Sequence, residues 1–179
     1  MLLLFAAAAA EVCDAHIGGK SNKPEEICMI RLIDINEDNW SAFAALQLTE
    51  EEQRFLDRHL GILARGYVYR AANARVFGIA DGDRAVGLAL VKDLDEEPAC
   101  YDLQQFMIDS RFQGAGFGTE ALGQLLSLLE EERRYDCAEV CVNRANAPAL
   151  GLFEKLGFRD TGYVDESCPD CLNLTVRFR

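Results

Sequence analysis

The hydrophobic positions keep two rhythms along this chain, and their order predicts a single α/β domain. An apolar start, Met1-Leu-Leu-Leu-Phe5 followed by alanines, gives way to a polar stretch that lasts until residue 28. From Met29 the run Met29-Ile-Arg-Leu-Ile-Asp-Ile reads as a first strand. Asn36-Glu-Asp-Asn39 precedes Trp40, Phe43, Ala44 and Leu46–Leu48, the spacing of a helix with an asparagine cap, in which Trp40 is expected as a core anchor. Thr49-Glu-Glu-Glu52 is a second capping pattern, followed by Phe55, Leu56 and Leu60 at helical spacing. Residues 75–80 and 85–91 are strand-like runs split by Asp81-Gly82-Asp83, a hairpin signal. Residues 100–108 form a long strand. Strict alternation puts Leu103, Gln105 and Met107 on one face and Gln104, Phe106 and Ile108 on the other. Leu122, Leu125, Leu126 and Leu129 mark a helix over 118–133. A strand over 139–142, a helix over 147–156 closed by Gly157, and strands over 158–164 and 172–178 complete the chain.

Composition narrows the function. Of 179 residues, 50% are hydrophobic and 27% charged, enough for one sizeable core. Eighteen Lys and Arg against thirty Asp and Glu leave a formal charge of −12. That argues against nucleic acid as the partner and suits a cationic substrate. No apolar run reaches the ~20 residues of a membrane helix, so no membrane partner is expected. The apolar start lacks the basic residues of a secretory signal. Residues 1–28 therefore read as a disordered or weakly helical extension, with a cleaved targeting peptide as the alternative, and the domain spans residues 29–179. The seven cysteines are odd in number, and Cys100, Cys137 and Cys141 fall in strand-like stretches, which suits reduced thiols and a cytoplasmic location. Cys168-Pro-Asp-Cys171 supplies only two of the four ligands of a structural zinc. It is read as two bystander thiols, with metal or redox behaviour as the alternative; no metal site is expected.

The most informative segment runs from the long strand through Gln113, Gly114, Ala115, Gly116, Phe117, Gly118 and Thr119 into the leucine-striped helix. Glycines let backbone N–H groups approach an anion, and a helix N-terminus adds partial positive charge. A phosphate-bearing ligand fits that design. A Walker loop is excluded because no Lys follows the glycine at Gly118-Thr119. A dinucleotide fingerprint is excluded because residues 109–113 separate the strand from the glycines, and too little chain follows for the larger alternating domain.

The spacing Gln113-x-x-Gly116-x-Gly118 resembles the Q/R-x-x-G-x-G/A pattern of the GNAT superfamily of N-acetyltransferases. Asn143-x-x-Asn146, followed by Ala149 and by Phe153-Glu-Lys-Leu-Gly157-Phe158, is similar to the family's second cofactor-contacting segment. The element order also matches. Ile30-Arg-Leu-Ile-Asp-Ile with Asn39-Trp40, and Phe106-Met-Ile-Asp109, look most like the diamine and spermidine acetyltransferase branch. The resemblance implies a mixed, mostly antiparallel twisted sheet flanked by helices in one domain, and acetyl-CoA as cofactor. Its diphosphate is expected on the backbone of residues 113–119, and its pantetheine arm along Phe106, Met107 and Ile108, where the long strand and the next one splay apart. Asn143 and Asn146 are expected on the other side. Since Ala115 and Thr119 stand where many relatives carry a base, Arg111 or Arg144 is expected to help the backbone.

The resemblance also implies departures. A protonated amine near pKa 10.4 has no lone pair, so a proton acceptor is needed. The family's strand carboxylate corresponds to Gln104, which cannot act as a base, and Asp102 is the nearest carboxylate. The usual tyrosine acid corresponds to Phe153, with Tyr101, Tyr135 and Tyr163 as stand-ins. Glu50 and Glu51, within an acidic stretch that includes Glu52 and Asp57, are expected to bind the acceptor. The expected reaction is direct acetyl transfer to a small polyamine-like primary amine in a ternary complex, helped by N–H groups near Met107 and Ile108. The alternatives are a non-catalytic acyl-CoA-binding module, or transfer to a protein amine or aminoglycoside-type acceptor; a homodimer is left open.

Overall fold

The computed structural model describes residues 29–56 and 58–179, so the extension expected over residues 1–28, and Asp57, lie outside the described residues. Seven strands form one sheet: β1 Ile30–Asp34, β2 Arg75–Asp81, β3 Arg84–Leu94, β4 Cys100–Ile108, β5 Cys137–Asn143, β6 Arg159–Asp160 and β7 Cys171–Arg177. Their spatial order is β1-β2-β3-β4-β5-β7-β6, and only β4 and β5 run parallel. The helices are α1 Trp40–Phe43, α2 His59–Val68, α3 Phe117–Glu132 and α4 Ala147–Lys155.

Two apolar faces hold this sheet. Leu122, Leu125 and Leu129 of the α3 stripe share a core with Val91, Leu103, Val140 and Phe153. Phe43, Leu46 and Ile62, from the α1–α2 side, share another with Leu88, Leu90 and Met107. Each fully buried leucine contributes about 1.5–3 kcal/mol. The hairpin signal is realised with Gly82 at φ +60°, the left-handed conformation such turns need.

Five local expectations are corrected, each for a physical reason. The first helix ends at Phe43 rather than continuing towards Leu48, because Gln47 gives its N–H to the Asp109 carboxylate (2.7 Å) and its C=O to Ser110 N–H (3.0 Å). Trp40 is 52% exposed and Phe43, at 1%, is the core anchor of that turn. The Thr49–Glu52 capping pair forms, with Thr49 N–H donating to Glu52 Oε2 at 2.7 Å. It opens only a short 3-10 turn, and α2 waits until His59. The strand expected over 158–164 shrinks to Arg159–Asp160, since Gly162 takes φ +74° and donates its N–H to Asp160 Oδ1.

The fifth correction matters most for the site. In the β3–β4 ladder Leu90 faces Gln105 and Val91 faces Leu103, leaving Gln104 as an extra residue in β4. This β-bulge flips the alternation. Leu103 and Phe106 now pack on the α3 side, while Met107 faces the α1–α2 core. Strict alternation had put Leu103 and Met107 together.

Asp109 pins the exit of β4 to the α1–α2 connection. It is fully buried and accepts hydrogen bonds from Gln47 N–H, Arg111 N–H and the Arg111 guanidinium. Burial pushes its carboxyl up, but those donors outweigh burial and hold it below the usual aspartate range. A depressed pKa gives stability that is present above the unfolded-state value near 3.9 and lost as pH falls through the folded value. Asp109→Asn is expected to cost about 1–3 kcal/mol at pH 7, measured by urea unfolding, with the deficit shrinking below about pH 4.

Candidate active site

The site follows from where β4 and β5 stop being partners. Their parallel ladder consists of Tyr101 opposite Ala138 and Asp102 opposite Glu139. Beyond that rung β4 continues beside β3 to Ile108, and β5 turns instead to β7. Asp109 N–H donates to Val86 C=O on β3 at 2.8 Å. By the alternation of an antiparallel ladder, Met107 also aims its backbone at β3, while Phe106 and Ile108 aim theirs at the open fork. Gln113 Nε2 occupies the Ile108 C=O at 2.8 Å. The N–H groups of Ile108 and Phe106, and the Phe106 C=O, face the gap. Buried backbone groups of this kind demand partners.

At the open end of the fork the chain turns into α3. Gly114 and Gly116 both take left-handed backbone, at φ +78° and +88°, with no atom placed to meet an added Cβ. None of the N–H groups of residues 114–119 finds an acceptor among the described residues. Consecutive unpaired N–H groups around left-handed glycines form an anion-binding concavity, which the N-terminal end of α3 reinforces. Gln113 braces the turn by also donating to Glu52 Oε1 at 2.5 Å.

A cleft of about 700 Å³ joins the fork to this turn. Gln104, Phe106, Met107, Ile108, Gln113, Gly114, Gly116, Phe117, Gly118, Thr119, Asn143, Asn146, Phe153 and Glu51 all line it, as the sequence reading grouped them. Asp102, Ala115 and Glu50 do not. Nor do Arg111, whose guanidinium is turned onto Asp109 at 2.7 Å, and Arg144. Asn146 caps α4 by accepting from Ala149 N–H at 3.3 Å, and Asn143 accepts from Ala145 N–H at 2.9 Å. Glu52 of the acidic stretch lines the cleft too, as do Phe55, Leu56 and Cys141, which the sequence does not single out. The contact of Glu52 with Gln113, distant in sequence, is likewise visible only in the fold.

The polar groups near the fork divide unevenly. Asp102 is engaged by Lys92 Nζ at 3.0 Å and by Gln104 Nε2 at 2.6 Å, and Gln104 Oε1 accepts from Arg65 at 3.3 Å. Glu139 has no hydrogen bond or ion pair among the described residues. Burial first, then the charges of Asp102 and Glu96, raise its carboxyl above the usual glutamate range. Cys100 and Cys141 are pushed up to about 12, mainly by burial, so both stay protonated at neutral pH. Tyr101 is buried and donates to Glu132, Tyr135 donates to Asp95, Tyr163 is exposed, and none of the three lines the cleft. Cys168 and Cys171 are free thiols across a turn closed by Cys171 N–H to Cys168 C=O at 3.0 Å. No group of three or more His, Cys, Asp or Glu residues is arranged to hold a metal among the described residues, and no helix there is long and apolar enough to cross a membrane.

Comparison with known proteins places this architecture. The sequence profile described as the Acetyltransferase (GNAT) family matches residues 32–158. The spermine/spermidine N(1)-acetyltransferase of Bacillus subtilis (strain 168) is 25% identical over 141 residues, covering 76% of this chain and 91% of that protein. The crystal structure of spermidine N-acetyltransferase from Vibrio cholerae, in complex with CoA and spermine, superposes with a TM-score of 0.67 at 17% identity, over 83% of this chain and 95% of that one. RimL, a ribosomal L7/L12 α-N-protein acetyltransferase in complex with coenzyme A, gives a TM-score of 0.66 at 14% identity, over 83% and 94%. Those two likenesses are of fold, and the profile match runs through most of the chain on that same fold: this protein belongs to the Acetyltransferase (GNAT) family.

Proposed function

We propose that the cleft binds acetyl-CoA and passes its acetyl group to a small, polycationic primary amine. The observation that carries this reading is the pair of unsatisfied backbone surfaces in one cleft, the N–H groups of residues 114–119 and the open edge of β4. Phosphates suit the first. An arm carrying amides suits the second, since each amide can replace a missing strand partner. Acetyl-CoA supplies an activated acyl group, a thioester whose thiolate is a tolerable leaving group.

The chain's own residues do the rest. The helix N-terminus and glycine turn hold the diphosphate without a cationic side chain. Asn143 and Asn146 close the opposite wall. The free N–H groups of Phe106 and Ile108 are the donors available to an oxyanion on the carbonyl, whereas Met107 is committed to β3. Glu51 and Glu52 line the cleft, and with the net charge of −12 they favour a polycationic acceptor. The named substrates of the Bacillus and Vibrio relatives agree with that class. The location consistent with the free thiols is the cytoplasm, and the acceptor is a small molecule.

A second reading has a specific basis. Gln104 and Phe153 offer neither base nor acid, and no tyrosine among the described residues lines the cleft. That favours an acyl-CoA-binding module without turnover. Thiol release from acetyl-CoA, followed across a panel of spermine, spermidine, diamines, amino acids and a peptide with a free N-terminus, separates the two. Polyamines are expected to accelerate release most, while acetyl-CoA binding with no acceleration by any amine would favour the module.

Gly116→Ala tests the anion turn. A side chain at φ +88° costs about 1–2 kcal/mol of backbone strain although space is open. Calorimetry is expected to show about tenfold weaker acetyl-CoA binding. Gly123→Ala, on the open side of α3, is the control and should leave affinity unchanged.

A further inference from the structure

We propose that Glu139 of β5 is the terminal proton acceptor for the amine, standing in for the strand carboxylate that Gln104 replaces. The assignment rests on the transferase reading above and names the residue of β5 next to the cleft-lining Val140 and Cys141. Its basis is position. Glu139 sits on the last parallel rung, opposite Asp102, where the cleft between the two strands begins. The next residues of β5, Val140 and Cys141, line that cleft. Along a strand, alternate residues share a face. Glu139 therefore points to the same side as Cys141 and Asn143, the side away from the core that holds Val140 and Val142.

Its surroundings separate it from its neighbour. Asp102 is engaged by the Lys92 ammonium and the Gln104 amide. The Glu139 carboxyl is half-buried and has no hydrogen bond or ion pair among the described residues. The groups facing it are Asp102 from β4 and Glu96 from the β3–β4 connection, both acidic. The Cys100 thiol is close enough to feel its charge. Thr175, opposite on β7, is uncharged, and the Lys92 ammonium of β3 is held by Asp102. Two carboxylates in such different environments divide the labour, one held by a cation and an amide and the other left to take a proton. A raised carboxyl is also the better base.

The proton balance closes without another reactant. The acceptor ammonium gives one proton through water to the Glu139 carboxylate, which adjoins the cleft lining, and the nitrogen gains its lone pair. Nitrogen attacks the thioester carbonyl, the C–S bond breaks, and its electron pair leaves on sulfur. The remaining excess proton on nitrogen passes to the thiolate. Glu139 returns its proton to solvent.

Glu139→Gln keeps the shape and removes the base. With the best amine of the panel, kcat is expected to fall about 10²–10⁴-fold. The KM for the amine and the calorimetric Kd for acetyl-CoA should stay within about twofold, and the thermal midpoint should hold. In the wild type the acidic limb of the kcat/KM profile should lie above the ~4.3 of an ordinary glutamate, because the base is protonated below its raised pKa. That limb should vanish in Glu139→Gln. Asp102→Asn removes the repulsion and should move it to lower pH. An active wild type whose Glu139→Gln variant keeps both rate and limb overturns the assignment alone, as does a limb that Asp102→Asn leaves in place. A wild type that binds acetyl-CoA but never releases thiol with any amine overturns the transferase reading and this assignment together.

Discussion

The structure turns on strand pairing that is abandoned early. Were β4 and β5 to continue side by side past Asp102 and Glu139, each would satisfy the other and the sheet would be closed. Instead β5 takes β7 as its partner, β4 keeps only β3, and one edge of a central strand is left bare in the middle of the molecule. A bare edge is normally a liability that proteins cover. In the proposed function, the covering is left to the acetyl-CoA arm. The bulge at Gln104 belongs to the same device: by adding one residue to β4 just above the fork, it turns Phe106 and Met107 onto the faces where each is packed.

The second constraint is electrostatic. In the proposed reaction, a chain of net charge −12 has to hold an anionic donor and attract a cationic acceptor. Backbone N–H groups and the end of α3 are what it would offer the anion, with Arg111 withdrawn onto Asp109. Glu51 and Glu52 are the acidic side chains of the cleft lining. Gln113 donates to both Glu52 and Ile108, so the brace of the glycine turn is also the tether of the acidic segment.

What the sequence made legible was local. Gly114 and Gly116 announce themselves because a left-handed turn before a helix favours glycine, and the α3 leucine stripe because helix packing repeats every 3.6 residues. The pattern around Gln113 and Asn146 then pointed to the family, and the cleft gathers nearly all the residues it named. What escaped depended on partners distant in the chain. Gln104 carries no sign of a bulge, since the extra residue exists only relative to β3. Trp40 and Phe43 are both aromatic, and which of them is buried depends on the β3, β4 and α2 residues that pack around Phe43. Glu139 read as one polar residue in a short strand. Its significance needs Asp102 across the rung, and no spacing along the chain reports that.

Residue-resolved amide hydrogen exchange, with and without CoA, tests the central claim most directly. Main-chain pairing across the fork predicts slowed exchange at Phe106, Ile108 and residues 114–119 when CoA is added, with Met107 already slow because β3 holds it. If CoA binds and the amides of Phe106 and Ile108 exchange as fast as before, the edge of β4 is not where the ligand docks, and this account of the fork is wrong.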